Sequence, residues 1–308
     1  MIITNLLGIK YPIFQGAMAQ IARHELVSAV SNAGALGILA SGGVRPEELR
    51  KEIQQCRELT DKPFAVNLML MMPNIDEIID VVIEEGVKIV TTGAGTPRKF
   101  MPRLKEVGIK VIPVIPSVKA AVKMEELGCD AVVVEGMEAG GHVGTSTTMA
   151  LLPQVTSAVN IPVIAAGGIA DGRGMAAAYC LGASGVQMGT VFLASEECPV
   201  TDAYKNMILE AVDTSTTLTG EKFGAPVRGI KNELTKKYHE LEERSSTLME
   251  LEELTLGSLR RAVYDGDVEN GSVMAGQIAG LVNEIRPVKN IIEDVIKEAR
   301  EVLKKTEI

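Results

Sequence analysis

The chain has 308 residues, a net charge of -9, 46% hydrophobic residues and only 3% aromatic residues. Its lysines and arginines form no cluster beyond short pairs, which excludes nucleic acid as a partner because such binding needs a basic surface. The N-terminal residues do not resemble a signal peptide and no apolar run reaches about 18 residues, so we predict a cytoplasmic protein with no membrane partner.

Short apolar strands alternate with amphipathic helices through most of the chain. The predicted strands cover residues 12–14, 36–39, 64–68, 89–92, 111–114, 131–134, 163–165 and 185–188. The predicted helices between them cover residues 24–32, 46–59, 75–85, 99–107, 118–127, 148–159 and 172–181. Eight such units predict a closed (β/α)8 barrel, the TIM barrel fold. An open doubly wound sheet is the alternative, although the loop after the first strand, residues 15–19, lacks the GxGxxG pattern usual in that fold.

The alternation stops at Ser195. Residues 195–286 are charged and predicted to be mostly helical, with helices at 202–212, 233–243, 248–256 and 259–264. A last predicted helix, residues 288–305, returns to the barrel. We therefore predict a barrel domain of residues 1–194 with 287–308 and a C-terminal helical insertion of residues 195–286 that covers the barrel mouth.

The loops after the seventh and eighth strands predict a phosphate site. TIM barrels bind phosphate with these two loops, through backbone N–H groups and a helix N-terminus. Gly167, Gly168 and Gly189 leave such N–H groups unobstructed, and the hydroxyl of Thr190 adds a donor. Two tight packing turns are the alternative interpretation.

A phosphate in this position, joined to a planar ring over the barrel mouth, suggests flavin mononucleotide (FMN) as the ligand. The ring would lie near Ala17, Met18, Asn67 and Gly93, and the Asn67 amide offers a donor and an acceptor to a flavin edge. A sugar phosphate would also satisfy the two glycine loops.

The loop after the sixth strand, residues 135–144, holds four glycines, two glutamates and His142. Of the three histidines in the chain, His142 is our candidate for a general acid or base. We predict that Glu135 and Glu138 either orient ligand hydroxyls or form salt bridges within the loop. The alternative interpretation of the whole loop is a flexible turn with a solvated histidine and no catalytic role. The irregular spacing of the four cysteines predicts neither a zinc site nor a disulfide framework, and we predict no metal site.

At these residues the chain closely resembles the flavin-dependent type II enoyl-acyl-carrier-protein reductases, within the nitronate monooxygenase (2-nitropropane dioxygenase) superfamily. The matching stretches include YPIFQGAMA at 11–19, EGMEAGGH at 135–142, GSVMAGQIAGL at 271–281, and residues 61–64, 66–67, 90–95, 111–114, 116–118, 161–171 and 187–190. The core EAGGH is shared by both branches, whereas residues 223–228 and 271–281 resemble the reductases more.

The resemblance implies a TIM barrel with non-covalent FMN and His142 as the catalytic residue. The cofactor-binding residues it implies, together with the loop analysis, are Ala17, Met18, Asn67, Gly93, Glu138, Gly141, Ala166, Gly167, Gly168, Gln187, Gly189, Thr190, Met274 and Gln277. In the reductase branch NADH or NADPH reduces the flavin, which passes hydride to a trans-2-enoyl thioester on acyl carrier protein. The family also implies a homodimer and, in some reductases, a monovalent cation, for which the sequence shows no ligand set.

The reductase is the activity we favour, and a nitronate monooxygenase that oxidises alkyl nitronates with oxygen is the alternative. A sugar-phosphate isomerase or aldolase on the same barrel is disfavoured, because no strand end carries a lysine placed for a Schiff base. A non-catalytic flavin-binding protein remains as a more distant alternative.

Overall fold

The computed structural model describes residues 2–244 and 247–305. Its strands are β1 Ile13–Gln15, β2 Gly37–Ala40, β3 Phe64–Met69, β4 Ile89–Gly93, β5 Lys110–Ile115, β6 Val132–Glu135, β7 Gly141–His142, β8 Val163–Ala166, β9 Gly185–Met188, β10 Thr216–Thr219 and β11 Val227–Ile230. Its α-helices are α1 Ile2–Leu7, α2 His24–Asn32, α3 Pro46–Leu59, α4 Ile75–Glu84, α5 Met101–Glu106, α6 Val118–Glu126, α7 Thr148–Ala158, α8 Gly172–Cys180, α9 Thr190–Leu193, α10 Asp202–Leu209, α11 Glu233–Glu243, α12 Leu248–Thr255, α13 Ser258–Arg260 and α14 Val288–Lys305. Short 3₁₀ and π turns cover Pro97–Lys99, Glu221–Phe223, Arg261–Asp265 and Gln277–Leu281.

Eight parallel strands form the barrel, in the order β1-β9-β8-β6-β5-β4-β3-β2. A parallel bridge between Phe14 and Leu36 joins β1 to β2 and closes the ring. The predicted (β/α)8 fold is therefore confirmed, and all eight strands begin within one residue or so of their predicted starts.

The barrel core is aliphatic, as the low aromatic content predicts. The inner faces of the strands bury residues such as Leu36, Ile38, Ile112 and Ile164. Helix α1, which the sequence analysis did not predict, adds Ile3 and Leu7 to this cluster and packs at the N-terminal ends of the strands. The opposite end, where the βα loops lie, is thus left as the open mouth.

Helix α14 takes the place of the eighth barrel helix. It packs against α8 and α2, and its buried side chains recur every three to four residues: Val288, Ile291, Ile292, Val295, Ile296 and Ala299. None of the helices in the described ranges is long and apolar enough to cross a membrane.

The segment between α9 and α14 leaves and rejoins the barrel at one point. Ser195 and Arg286 form a parallel bridge, and the buried Lys205 of α10 donates from Nζ to the Ser195 carbonyl oxygen at 2.7 Å. The domain boundaries at residues 194 and 287 stay a prediction.

A small antiparallel sheet, β10-β11-β7, joins this segment to the loop after β6. The sequence predicted a mostly helical segment here, with no strands. Strands β10 and β11 have four residues each, and β10 is partly exposed throughout, so neither shows a clear apolar alternation. The sheet pairs Val227 with His142 and Arg228 with Gly141, so a long-range contact holds the histidine loop.

Candidate active site

A cavity of about 130 Å³, open to solvent, lies at the mouth of the barrel. Its walls come from the loops after β1, β6, β8 and β9 and from residues 274–278 of the segment above them. The position, at the carboxyl ends of the strands, is where TIM-barrel enzymes carry their active sites.

The loop after β8 forms a backbone cradle on one wall. Gly167 and Gly168 have φ values of +88° and +73°, a conformation that side-chain-bearing residues rarely adopt. Among the described residues, no hydrogen bond is accepted from the N–H group of either glycine. These N–H groups are therefore available to an anion.

The loop after β9 completes the cradle. Gly189 precedes the short helix α9, which begins at Thr190, and the first N–H groups of a helix have no intrahelical acceptor. The Thr190 Oγ1 accepts a hydrogen bond from the Gly276 N–H at 2.8 Å, which leaves its own proton free to donate. The two loops together present the donor set that a phosphate requires.

Glu138 lines the cavity, but its carboxylate is already engaged. Its two oxygens accept hydrogen bonds from the Thr148 N–H at 2.9 and 3.0 Å, at the start of α7, and one accepts from the Thr148 hydroxyl at 3.1 Å. Its backbone oxygen accepts from the Gln277 N–H at 2.9 Å. Glu138 therefore joins the histidine loop to α7 and to the 271–281 stretch.

The glycines of the histidine loop have a packing role that the sequence analysis did not anticipate. A Cβ on Gly140 would lie 2.7 Å from the carbonyl carbon of Ala275 and 2.8 Å from the nitrogen of Gly276. Such distances are too short for any side chain. Gly140 thus allows the loop to pack directly on the backbone of the segment above the mouth, in addition to any room it leaves for a ligand.

Arg228 has a buried side chain. It belongs to residues 223–228, which resemble the reductases, but the sequence assigned it no role of its own. Its Nε donates to the Met137 carbonyl oxygen at 3.0 Å, and its Nη1 donates to the Thr216 hydroxyl at 3.2 Å. Burial lowers the pKa of Arg228, while Glu138 and Glu221 attract its charge. The guanidinium therefore ties the start of the histidine loop to the small sheet. The hint in the sequence is an arginine two residues after Pro226 in an apolar context, which is too weak to assign a partner.

Glu135, the last residue of β6, also lines the cavity. Burial raises the pKa of its carboxyl group to about 7. Within the part of the chain that the structure describes, no hydrogen bond or ion pair of this side chain is found, and burial alone shifts its pKa. It is the one cavity-lining carboxyl group without a partner there.

His142 lies on β7, two residues after the cavity-lining Gly140, and its side chain is exposed. It does not itself line the cavity. Its backbone is held by pairing with Val227, and the next residue, Val143, donates from its N–H to the Pro226 carbonyl oxygen at 3.0 Å. The imidazole is thus on a strand whose backbone is held by β11, near the edge of the cavity.

The other predicted site residues divide into two groups. The cavity is lined by Ala17, Met18, Glu138, Ala166, Gly167, Gly168, Gln187, Gly189, Thr190 and Met274. Four predicted residues, Asn67, Gly93, Gly141 and Gln277, lie outside its lining. The Asn67 amide donates to the Thr91 hydroxyl at 3.0 Å, and Gln277 is exposed, with its neighbours Gly276 and Ile278 in its place on the cavity wall.

One group of side chains within residues 2–244 and 247–305 has the spacing of metal ligands: His24, Glu25 and Glu52. Arg23 forms a salt bridge with Glu52 at 3.1 Å, and His24 Nδ1 lies 2.8 Å from the same carboxylate. The charge of Glu52 is therefore met within the protein, and we assign no metal to this group.

The fold and the site define a barrel enzyme with a backbone cradle on one side of its mouth and a histidine loop on the other. The nitronate monooxygenase family model matches residues 1–79 and 74–298. The structure of FabK from Thermotoga maritima superposes with a TM-score of 0.96 at 52% identity, and covers 98% of this chain and 97% of that one.

Two curated relatives match nearly the full length. A probable nitronate monooxygenase of Staphylococcus saprophyticus is 37% identical, with 98% of both chains covered. An octahydroindene-carboxyl-CoA dehydrogenase of Mycobacterium tuberculosis is 36% identical, with 96% of this chain and 95% of that one covered. The chain belongs to the nitronate monooxygenase family and is an oxidoreductase. The resemblance seen in the sequence is thereby confirmed, and the isomerase, aldolase and non-catalytic alternatives are set aside.

Proposed function

We propose that the protein is an FMN-dependent reductase of trans-2-enoyl thioesters carried by acyl carrier protein, with NADH or NADPH as the electron donor, in fatty-acid synthesis. The observation that carries this proposal is the similarity to FabK, the name of the type II enoyl-acyl-carrier-protein reductases, at 52% identity over 98% of the chain. The M. tuberculosis relative is also named for a CoA-bound acid, which is in keeping with a thioester substrate.

The residues that line the cavity suit a phosphorylated flavin in their chemistry. The N–H groups of Gly167 and Gly168 and the hydroxyl of Thr190 would hold the phosphate. The buried amide of Gln187, at the end of β9, lines the cavity and offers both a donor and an acceptor to polar ring atoms. The thioethers of Met18 and Met274 provide soft, polarisable contacts for an aromatic ring.

FMN, when bound, supplies the two-electron chemistry between a nicotinamide and the substrate. The protein then has one proton to manage. Reduction of an enoyl thioester places hydride on the β-carbon and requires a proton at the α-carbon. His142, on its fixed strand at the cavity edge, is the residue we assign to deliver that proton.

Nitronate monooxygenase activity is the second candidate. It is favoured by the description of the matching family model and by the name of the S. saprophyticus relative. The same histidine would then take a proton from the substrate or position the nitronate. The flavin site is common to both candidates, so they differ only in the substrate beside His142.

A side-by-side assay on the purified, FMN-loaded protein tests the proposal. NAD(P)H oxidation with a crotonyl thioester is compared with oxygen uptake on an alkyl nitronate. We expect NAD(P)H oxidation that depends on the thioester and yields the saturated product. Oxygen uptake with the nitronate and no thioester-dependent oxidation would overturn the proposal in favour of the second candidate.

A cytoplasmic location, a homodimer and a monovalent cation stay predictions. Flavin contacts from Asn67, Gly93, Gly141 and Gln277 also stay predictions, since these residues lie outside the cavity lining.

A further inference from the structure

Glu135 lies between the histidine loop and the phosphate cradle, and the proposed reaction assigns no role to its side chain. It is the last residue of β6 and pairs in register with Ala166 of β8, the residue immediately before Gly167 and Gly168. The carboxyl group therefore lies beside the start of the phosphate cradle. It lines the cavity on the same face of β6 as Val133, which is buried inside the barrel.

No cation offsets this carboxyl group within the described residues. The other titratable side chain that lines the cavity is Glu138, whose oxygens are occupied by Thr148. The nearby guanidinium of Arg228 is drawn to Glu138 and Glu221 and hydrogen-bonds to Met137 and Thr216. Gly16 and the neutral amide of Gln187 also line the cavity, and Gln187 pairs in register with Ala166.

An ionised Glu135 would be unfavourable once FMN is bound. The phosphate of FMN carries close to two negative charges above pH 7, and like charges in a poorly solvated site repel strongly. A neutral carboxylic acid, by contrast, has an O–H group that donates a hydrogen bond. The protonated form thus both removes the repulsion and gains a contact.

We propose that Glu135 holds FMN as a neutral carboxylic acid that donates a hydrogen bond to the cofactor, so that binding of FMN takes up a proton from solvent. The inference rests on the proposed FMN site. It makes Glu135 a cofactor-binding residue and makes cofactor retention dependent on pH. The shift of the Glu135 pKa to about 7 by burial in the free protein places this dependence in the neutral range.

The test is a titration of the FMN-free full-length protein with FMN between pH 7 and pH 8.5, followed by flavin fluorescence. For the wild type we expect the dissociation constant to rise by up to about tenfold per pH unit, as binding linked to one proton requires. For Glu135→Gln, which cannot titrate, we expect a dissociation constant that changes less than about twofold over the same range. Glu106→Gln removes an exposed charge of α5 and should keep the wild-type slope.

A second measurement needs no variant. Calorimetric titration of the wild type with FMN at pH 7.5, in two buffers of different ionisation enthalpy, gives the number of protons taken up. We expect a value between about half and one proton per FMN. No uptake, or a wild-type slope equal to that of Glu135→Gln, would overturn the inference even with tight binding. Failure to bind FMN at any pH would instead overturn the proposed function, and this inference with it.

Discussion

The two sides of the barrel mouth are built in different ways. The cradle side consists of backbone N–H groups and one hydroxyl, from residues that directly follow β8 and β9. The histidine side consists of one imidazole on a loop that reaches its position through contacts with residues 226–228 and 274–277, far away in the sequence. The proposed phosphate cradle thus follows from local sequence, whereas the proposed catalytic side chain depends on tertiary contacts for its position.

This difference predicts that the two sides can be damaged separately. Changes on the cradle side should lower the affinity for FMN, and changes at His142 or at the contacts that support it should lower turnover with FMN still bound.

The largest effect is expected for His142→Ala. Loss of a general acid or base lowers turnover by about 10²–10⁴. The flavin spectrum and the affinity for FMN should be those of the wild type, because His142 does not line the cavity. Steady-state rates with a crotonyl thioester measure the loss. His239→Ala, in α11, is the matched control and should keep full turnover; a loss shared by both variants would remove the special role of His142.

Removal of the guanidinium that supports the histidine loop should have the next largest effect. Arg228→Met leaves the Met137 carbonyl without its donor, and a shift of the loop by about 1 Å lowers turnover by roughly 10- to 100-fold. FMN affinity should remain within about twofold, as judged by fluorescence titration. The exposed Arg260→Met serves as the control. An unchanged kcat for Arg228→Met would show that the small sheet does not position His142.

On the cradle side, Gly168→Val should weaken FMN binding by about tenfold or more. A branched side chain is strained at positive φ, by about 1–2 kcal/mol, and stands where the ligand approaches the backbone. Gly128 also has positive φ, +78°, and lies in open space at the end of α6. Gly128→Val should therefore lose similar stability and keep the FMN affinity of the wild type. Equal affinities in the two variants would argue against the cradle.

The smallest effect concerns the stability of the FMN-free protein. Burial raises the folded-state pKa of Glu135 to about 7. The contribution of its neutral carboxyl group to the free energy of unfolding is therefore full below the unfolded-state pKa and is lost as pH rises through 7. Glu135→Gln should thus become more stable relative to the wild type between pH 4.5 and pH 8, by about 1–2 kcal/mol. The full shift would give more, but water in the open cavity screens the charge. Urea unfolding at the two pH values measures the difference, and an equal difference at both would contradict the assignment.

The barrel and the position of the glycine loops at its mouth could be predicted from the sequence because each rests on local patterns. Apolar strands and amphipathic helices alternate, and Gly167, Gly168 and Gly189 follow two of the strands in the order that a phosphate site requires. The histidine itself was found because it is the one histidine within a glycine-rich strand-end loop.

The support of that loop could not be predicted. The pairing of β7 with β11 joins residues more than 80 positions apart, and its strands are too short to show a pattern. The bond from Arg228 to Met137 spans 91 positions. The sequence predicts that Glu138 contacts the ligand, but nothing in it reveals that Thr148 donates hydrogen bonds to the Glu138 carboxylate. Gly276 and Ile278 line the cavity and Gln277 does not, and the sequence shows no pattern that separates these neighbours.

One anaerobic experiment tests the central claim most directly, that the cradle holds the flavin and His142 delivers a proton to an enoyl thioester. The FMN-loaded protein is reduced with NAD(P)H without oxygen and mixed with a crotonyl thioester, while the flavin absorbance is followed. We expect the oxidised flavin spectrum to return as the saturated thioester forms. In His142→Ala, NAD(P)H should reduce the flavin at the wild-type rate, but the oxidised spectrum should return at least about 10²-fold more slowly. A spectrum that stays bleached with the thioester and recovers only when oxygen is admitted would contradict the claim.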